Sequence, residues 1–304
     1  MQRATTDVLY FSTGPHNKPT MTVKPGEEFE VQTQINRGPW IDGHPDAEAL
    51  RKKLTGGNPS SGCIAVDGAR PGDVLTVEIL DIQLDDFGFT AYGGLPAAMP
   101  QWMGIEGFGP QSRVVRIEND TILWDENVRL PARPMIGFVG VSPANEMHHN
   151  GHNGDWGGNF DVQEITTGAK VHLRVQCQGA LLHIGDMHAI QGDGEICGAG
   201  GIETGGLVRV RTALTRPGPK GFWWPRIEDA SHIATLGFAR PAEDAFRIAL
   251  EAMAKWLEAD YGMPVPEALM YLGQVLEARC TQFVNPTYSY ICKVRREFLP
   301  PTKR

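Results

Sequence analysis

The sequence is poor in cysteine and has no long apolar run. Its five cysteines are odd in number and no two are spaced as Cys-x-x-Cys, which argues against a disulfide framework and favours a reducing compartment. No run of about 18 apolar residues occurs. The N-terminal segment MQRATTDVLYFSTGP lacks the apolar core of a signal peptide. We therefore expect a cytoplasmic protein that does not cross a membrane.

Positive charge is also in the minority. The chain carries 28 Lys and Arg against 36 Asp and Glu, for a formal net charge of −8. This balance argues against nucleic acid and against an anionic membrane surface as partners. The sequence also lacks a Walker loop, a Gly-x-Gly-x-x-Gly motif after a strand, and a Gly-x-Ser-x-Gly elbow. The common signatures of nucleotide-binding proteins and of α/β-hydrolases are therefore absent.

Turn-forming residues, in contrast, are abundant. The 36 glycines and 22 prolines in 304 residues exceed average usage and are typical of a mainly β protein with many turns. Apart from a short helix near Pro45–Leu54, the helical patterns lie in the C-terminal third. Residues 241–260 carry apolar side chains at helical spacing, and a second helix is predicted to begin near Pro266. The segment from Asp85 to Pro110 is rich in aromatic residues and is interpreted as a long connection, a lid or a partner contact.

The stretch most indicative of function is GALLHIGDMHAIQGDGEICGAGGIETGG, from Gly179 to Gly206. Glycines recur in it every few residues and let a backbone pass close to a ligand. Between them lie carboxylates and imidazoles, the groups that bind divalent metals or transfer protons. The alternative is a solvated acidic turn. The candidate residues of this stretch are Asp186, His188, Gln191, Asp193, Glu195, Cys197 and Glu203.

An earlier loop adds one more candidate. It contains three histidines between His148 and His152, and then Asp161. Adjacent histidines are poorly placed to share one ion, so Asp161, which follows Gly157 and Gly158, is the favoured ligand.

Three motifs of this sequence resemble those of the acetamidase/formamidase family. They are VDGARPGD at residues 66–73, GGNFD at 157–161 and GDMHAIQGDGE at 185–195. The resemblance implies an amidohydrolase that releases ammonia from small aliphatic amides, with formamide and acetamide as the default substrates. It also implies a β-sandwich (jelly-roll-like) with an appended α+β C-terminal part carrying two helices, and a homo-oligomer. We divide the chain into an N-terminal β-rich part, 1–130, and a β plus α part with the active-site motifs, 131–304, packed as one unit.

Amide hydrolysis needs an attacking water, a pull on the carbonyl oxygen and a proton for the leaving amine. We expect a divalent ion (zinc, manganese or calcium) on His188 and one or more of the aspartates, which lowers the pKa of its bound water. Glu195 or Glu203 is the expected general base, and Gln191 or a glycine N–H the expected oxyanion donor. The aspartates in question are Asp161, Asp186 and Asp193.

Three alternatives stay open at this point. Cys197 is a candidate nucleophile for a thioester mechanism. The aromatic residues Tyr92, Trp102, Phe108 and Trp156 favour a larger amide, an imine or another C–N compound if they line the pocket. From another functional class, a non-catalytic binding module would use the ion only to tie glycine loops together.

Overall fold

The computed structural model describes residues 1–92, 110–216 and 222–302. These residues form a mainly β protein with three α-helices, which confirms the predicted class. The strands of the N-terminal half are β1 (Gln2–Ala4), β2 (Leu9–Tyr10), β3 (Ser12–Thr13), β4 (Pro19–Val23), β5 (Glu28–Thr33), β6 (Ser60–Ser61), β7 (Cys63–Val66), β8 (Val74–Tyr92), β9 (Gln111–Glu118), β10 (Thr121–Leu123), β11 (Arg129–Pro131) and β12 (Met135–Gly140).

The remaining strands include parts of the GGNFD and GDMHAIQGDGE motifs. They are β13 (His148–His149), β14 (Asn153–Gly154), β15 (Gly157–Asn159), β16 (Lys170–Arg174), β17 (His183–His188), β18 (Ala199–Thr215), β19 (Arg226–Glu228), β20 (His232–Ala239), β21 (Glu277–Gln282) and β22 (Tyr288–Arg295).

Within the described ranges, one hydrogen-bonded network joins 18 of these strands. Its longest ladder is the antiparallel pairing of β8 with β18. Strand β17 lies against β12 on one side and contacts β6 and β18 on the other. The main apolar core packs against this network and includes Phe29, Ile136 and Val208, all fully buried. The sandwich or jelly-roll arrangement and the division at residue 130 stay predictions.

The helices of the described residues are α1 (Ala47–Lys53), α2 (Ala242–Trp256), which continues as a π-helical turn through Leu257–Tyr261, and α3 (Val265–Val275). Two of the three, α2 and α3, pack against the sheet at its C-terminal strands. Helix α2 contacts β20 closely because Gly237 has no side chain: a Cβ there would lie 1.9 Å from the carbonyl oxygen of Ala245. A second core of Met253, Leu257 and Leu272 fills the space between α2, α3 and the sheet. None of the helices in the described residues is long and apolar enough to cross a membrane.

Two sequence-based expectations about local structure are wrong. The segment from Asp85 does not leave the sheet at once, because β8 continues to Tyr92 and its residues Phe87–Tyr92 pair with β9. The sequence pattern also predicts a strand only over Leu207–Thr212, whereas β18 already begins at Ala199 and absorbs its glycines through register shifts against β8. Trp102 and Phe108, expected in a lid, lie outside the described residues.

Candidate active site

The functional motifs converge at strand β17. Asp186 and His188 are two residues apart on this strand, so their side chains share one face. Glu203 of β18 lies directly opposite His188 in the antiparallel register. Asp161 follows β15 with a φ of 49° and comes from the separate GGNFD motif. The ligand atoms of Asp161, Asp186 and His188 lie within 4.8 Å of one another, and all three residues are buried.

Gly137 of β12 makes room for this approach. A Cβ on Gly137 would lie 2.6 Å from Oδ1 of Asp161 and 2.6 Å from Oδ2 of Asp186. Its carbonyl oxygen also accepts the backbone N–H groups of Phe160 and Asp161. The backbone of β12 therefore fixes the loop that carries Asp161, while the missing side chain lets two carboxylates share one space.

Asparagines orient the two aspartates. Oδ2 of Asp161 accepts the Nδ2 groups of Asn159 at 2.7 Å and Asn285 at 2.6 Å, whereas Oδ1, fully buried, has no hydrogen-bond partner among the residues that the structure describes. Oδ1 of Asp186 accepts Nδ2 of Asn36 at 2.9 Å, and Oδ2 accepts Nδ2 of Asn58 at 3.3 Å.

Asn36 and Asn58 were not among the site residues predicted from the sequence. Nδ2 of Asn36 also lies 2.9 Å from Oε2 of Glu203, so one amide contacts two acids of the cluster. The backbone N–H of Asn58 donates in turn to Oδ1 of Asn36. Asn36 and Asn58 therefore form a linked pair that holds two carboxylates in place.

His188 is held by Gln191. Nδ1 of His188 lies 3.0 Å from Oε1 of Gln191, while Nε2 of Gln191 donates to the carbonyl oxygens of Asp161 and Thr281. Because that amide is engaged on both sides, Gln191 does not have a free donor for an oxyanion, contrary to our expectation. Nε2 of His188 faces the acids, 3.4 Å from Oε1 of Glu203 and 3.8 Å from Oδ1 of Asp186, and makes no hydrogen bond of good geometry within the described ranges.

The buried charges shift one another's pKa values. Burial raises the pKa of Asp161, and His188 offsets part of this increase. Burial, then the neighbouring Glu203, holds the pKa of Asp186 well above its usual value. Burial and Asp161 do the same for Glu195. Burial alone would lower the pKa of His188, but Glu203, Asp186 and Asp161 outweigh it and hold that pKa well above 6.5. The cluster therefore carries excess negative charge that favours protons or a cation.

The two candidate bases occupy different positions. Glu203 lines a cavity of about 590 Å³ together with Asn36 and Asn58, so a small molecule in the cavity reaches its carboxylate. Glu195 is buried, with a φ of 44°, and its Oε2 has no hydrogen-bond partner in the described part of the chain. A Cβ on Gly200 would overlap the side chain of Glu195.

Two sequence candidates are not brought to the cluster. The Asp193 side chain is 62% exposed and pairs with Nε of Arg279 at 2.8 Å, because the turn at residues 193–194 directs it outward. Cys197 lines a different cavity, with Tyr92 and Trp124, and partial burial raises the pKa of its thiol. The sequence predicts both residues at the site because they belong to the same motif, and the structure places neither of them there.

The sequence matches a known protein family and individual relatives. A sequence model of the acetamidase/formamidase family matches residues 14–155 and 152–222. Over 254 residues the chain is 28% identical to a formamidase of Methylophilus methylotrophus, an alignment that covers 66% of this chain and 62% of that relative. The chain therefore spans less than two thirds of the length of this relative.

Solved structures match over nearly the whole chain. A predicted acetamidase/formamidase from the thermophile Thermoanaerobacter tengcongensis is 30% identical, with a TM-score of 0.86 over 97% of this chain and 96% of that one. An acetamidase from Yersinia enterocolitica is also 30% identical, with a TM-score of 0.86 over 98% and 93%. The fold is mainly β, and the candidate site is a buried cluster of aspartate, histidine and glutamate side chains. The chain belongs to the acetamidase/formamidase family.

Proposed function

We propose that this protein hydrolyses the C–N bond of small linear amides to a carboxylate and ammonia. The observation that carries the proposal is the buried cluster of Asp161, Asp186 and His188 beside a cavity lined by Glu203. Family membership supports the same reaction class, and the matched relatives include a formamidase and an acetamidase.

The cluster fits a divalent cation. Two of its ligand atoms, Oδ1 of Asp161 and Nε2 of His188, are buried without a hydrogen-bond partner among the described residues, which is costly unless a cation or proton satisfies them. Two carboxylates and one imidazole suit zinc or manganese, and calcium less well because of the imidazole. When bound, such an ion would lower the pKa of a coordinated water from about 15.7 towards about 7 and polarise a carbonyl.

The chain's own residues supply proton transfer and orientation. Glu203 reaches the cavity and accepts the proton of the attacking water, while Asn36, 2.9 Å from Oε2, keeps its carboxylate in place. The water oxygen then bonds to the carbonyl carbon, the C–N bond breaks, and the leaving nitrogen takes the proton held by Glu203. Glu195, whose pKa burial and Asp161 raise well above its usual value, keeps a second proton in the cluster.

Ammonia release from formamide and acetamide tests this proposal. We expect turnover that is lost after chelation and restored by one of zinc, manganese or calcium. His188→Ala abolishes both turnover and metal binding. Glu203→Gln lowers kcat about 10²- to 10⁴-fold and still binds the ion.

Two results would contradict parts of the proposal. Turnover that survives complete metal removal but is lost in Cys197→Ala would favour the thioester mechanism. No ammonia from any amide, with a large fall in melting temperature on chelation, would favour a metal-stabilised binding module. A homo-oligomeric state and a cytoplasmic location are further proposals, and light scattering tests the first.

A further inference from the structure

The cavity beside the cluster is much larger than formamide or acetamide requires. Its volume is about 590 Å³, and it extends from Asn58 and Glu203 past Arg37 and Phe89. A second cavity of about 400 Å³ shares Arg37 and Phe89 with it and continues to Tyr92. Clefts of a few hundred Å³ are typical of sites for molecules of considerably more than four heavy atoms. The space indicates a substrate with a substituent beyond the amide group.

A positive charge that has no partner among the described residues lines both cavities. Arg51 also lines the first cavity, but its Nη2 is paired with Oδ1 of Asp42 at 2.7 Å. Arg37 is exposed, and among the described residues its guanidinium makes no hydrogen bond or ion pair. A guanidinium binds a carboxylate through two parallel hydrogen bonds, a geometry that a neutral group does not match. Arg37 therefore has the chemistry of an anion subsite.

The position of Arg37 relates this subsite to the cluster. Arg37 directly follows Asn36, whose Nδ2 contacts both Asp186 and Glu203. Arg37, Asn36 and Glu203 all line the first cavity, so the anion subsite and the acid of the cluster border the same space. The net charge of −8 disfavours the approach of an anion to the protein as a whole. A local cation is therefore needed if an anionic substrate is to bind here.

We propose that Arg37 binds the carboxylate of an amide substrate, and that the preferred substrates are monoamides of short dicarboxylic acids. This inference rests on the proposed amide hydrolysis. The amide lies at the Glu203 end of the cavity and the carboxylate at Arg37. Water adds its oxygen to the carbonyl carbon, the C–N bond breaks, and the products are a dicarboxylate and ammonium.

Matched substrates test the proposal. Succinamate and 4-methylpentanamide have the same shape, but only the first carries a carboxylate. We expect kcat/KM for succinamate, or for the malonic or glutaric monoamide, to exceed that of the neutral isostere at least 10-fold. Arg37→Gln reduces this ratio at least 10-fold, mainly through KM, and Arg37→Lys retains part of it. Added salt raises KM for the anionic amide, because it screens the ion pair.

Arg174→Gln is the matched control. Arg174 is likewise exposed, its side chain has no hydrogen bond or ion pair among the described residues, and the substitution changes the net charge equally. It lines neither cavity, so the ratio stays at the wild-type value. A ratio near one in the wild type, or a ratio unaffected by Arg37→Gln while ammonia is released, would overturn this inference and leave the proposed function intact. Absence of ammonia from every neutral and charged amide would overturn the proposed function, and this inference with it.

Discussion

Oε1 of Gln191 lies 3.0 Å from Nδ1 of His188, at the centre of the buried cluster. Because Nε2 of Gln191 donates to the carbonyl oxygens of Asp161 and Thr281, the orientation of its amide is fixed and Oε1 has to accept. Nδ1 of His188 therefore carries a proton, and Nε2 faces the acids. A hydrogen bond of this kind sets which nitrogen of a histidine is available to bind a metal.

Replacing Gln191 with Leu removes this acceptor. We expect zinc affinity to fall about 10- to 100-fold, the usual effect of losing the partner of a metal-binding histidine. Competition with a chromophoric chelator measures the affinity, and ¹⁵N NMR of the imidazole measures the protonation of each ring nitrogen in the metal-free protein. Gln176→Leu is the control, since Nε2 of Gln176 has no hydrogen-bond partner among the described residues. Equal zinc affinity in wild type and Gln191→Leu would contradict the assignment.

Asp161→Asn separates stability from metal binding. An asparagine keeps an oxygen at Oδ2 to accept Asn159 and Asn285 and places an amide N–H at Oδ1, where Asp186 is close. Because a buried charge is replaced by a donor facing a carboxylate, we expect the metal-free variant to be about 1–2 kcal/mol more stable than the metal-free wild type. Metal binding is lost. Urea unfolding with and without chelator measures both effects.

Asp73→Asn provides the comparison for that experiment. Asp73 is buried, but it accepts the backbone N–H of Arg70 and lies 3.7 Å from Nε of Arg216, so its charge is compensated. The same substitution there does not stabilise the protein. A metal-free Asp161→Asn protein no more stable than wild type would argue against mutual repulsion in the cluster.

Local sequence density predicted much of the site. The GDMHAIQGDGE motif and the following glycines contain Asp186, His188, Glu195 and Glu203, and the structure brings all four together with Asp161. Asp186 and His188 share strand β17, and Glu203 of β18 pairs directly with His188. These residues are close in sequence and are therefore also close in space.

What the sequence did not reveal depends on contacts between distant segments. Asn36 and Asn58 are separated from Asp186 by 150 and 128 positions, and a single asparagine in a loop has no local signal for such a role. The same motif offered Asp193 as a ligand, although its side chain is exposed and pairs with Arg279. Counting acids in a motif does not give the direction of each side chain. The pattern predicts the strand only over Leu207–Thr212, and its first part from Ala199 was missed because the glycines there pair through bulges with β8, which periodicity does not detect.

Stability at acid pH tests the protonation of His183, the first residue of β17. His183 lies between Nδ2 of Asn17 and Oγ of Ser60, and burial lowers its pKa from 6.5 to about 3. Because the pKa of this histidine is lower in the folded protein, the unfolded chain takes up a proton at a higher pH than the folded protein does. The stability contribution is therefore complete above pH 6.5 and is lost as the pH falls towards 3, by up to about 1.4 kcal/mol per pH unit.

His183→Gln removes this dependence. Between pH 6.5 and 4.5 we expect the variant to lose less stability than the wild type, whatever its stability at neutral pH. Urea midpoints at several pH values measure the slope. His16→Gln, a substitution at an exposed histidine, keeps the wild-type slope. Parallel curves for wild type and His183→Gln would show that His183 is not held neutral.

Gly137→Ala tests whether the close approach of the two aspartates depends on a missing side chain. The new Cβ would lie 2.6 Å from both Oδ1 of Asp161 and Oδ2 of Asp186. One carboxylate or the β12 backbone has to move, so we expect a loss of about 1–3 kcal/mol in unfolding free energy. A displacement of about 1 Å at a catalytic group costs about 10²-fold in rate, so kcat/KM falls by a similar factor.

Gly192→Ala is the matched variant, because a Cβ there meets no atom within 4 Å although the residue belongs to the same motif as His188. Its stability stays within about 0.5 kcal/mol of wild type, and its zinc affinity is retained. Gly137→Ala loses zinc affinity as well as activity, since Asp161 and Asp186 are both proposed ligands. If Gly137→Ala bound zinc as tightly as Gly192→Ala, the two carboxylates would not share an ion, and the cation would have to lie elsewhere in the cluster.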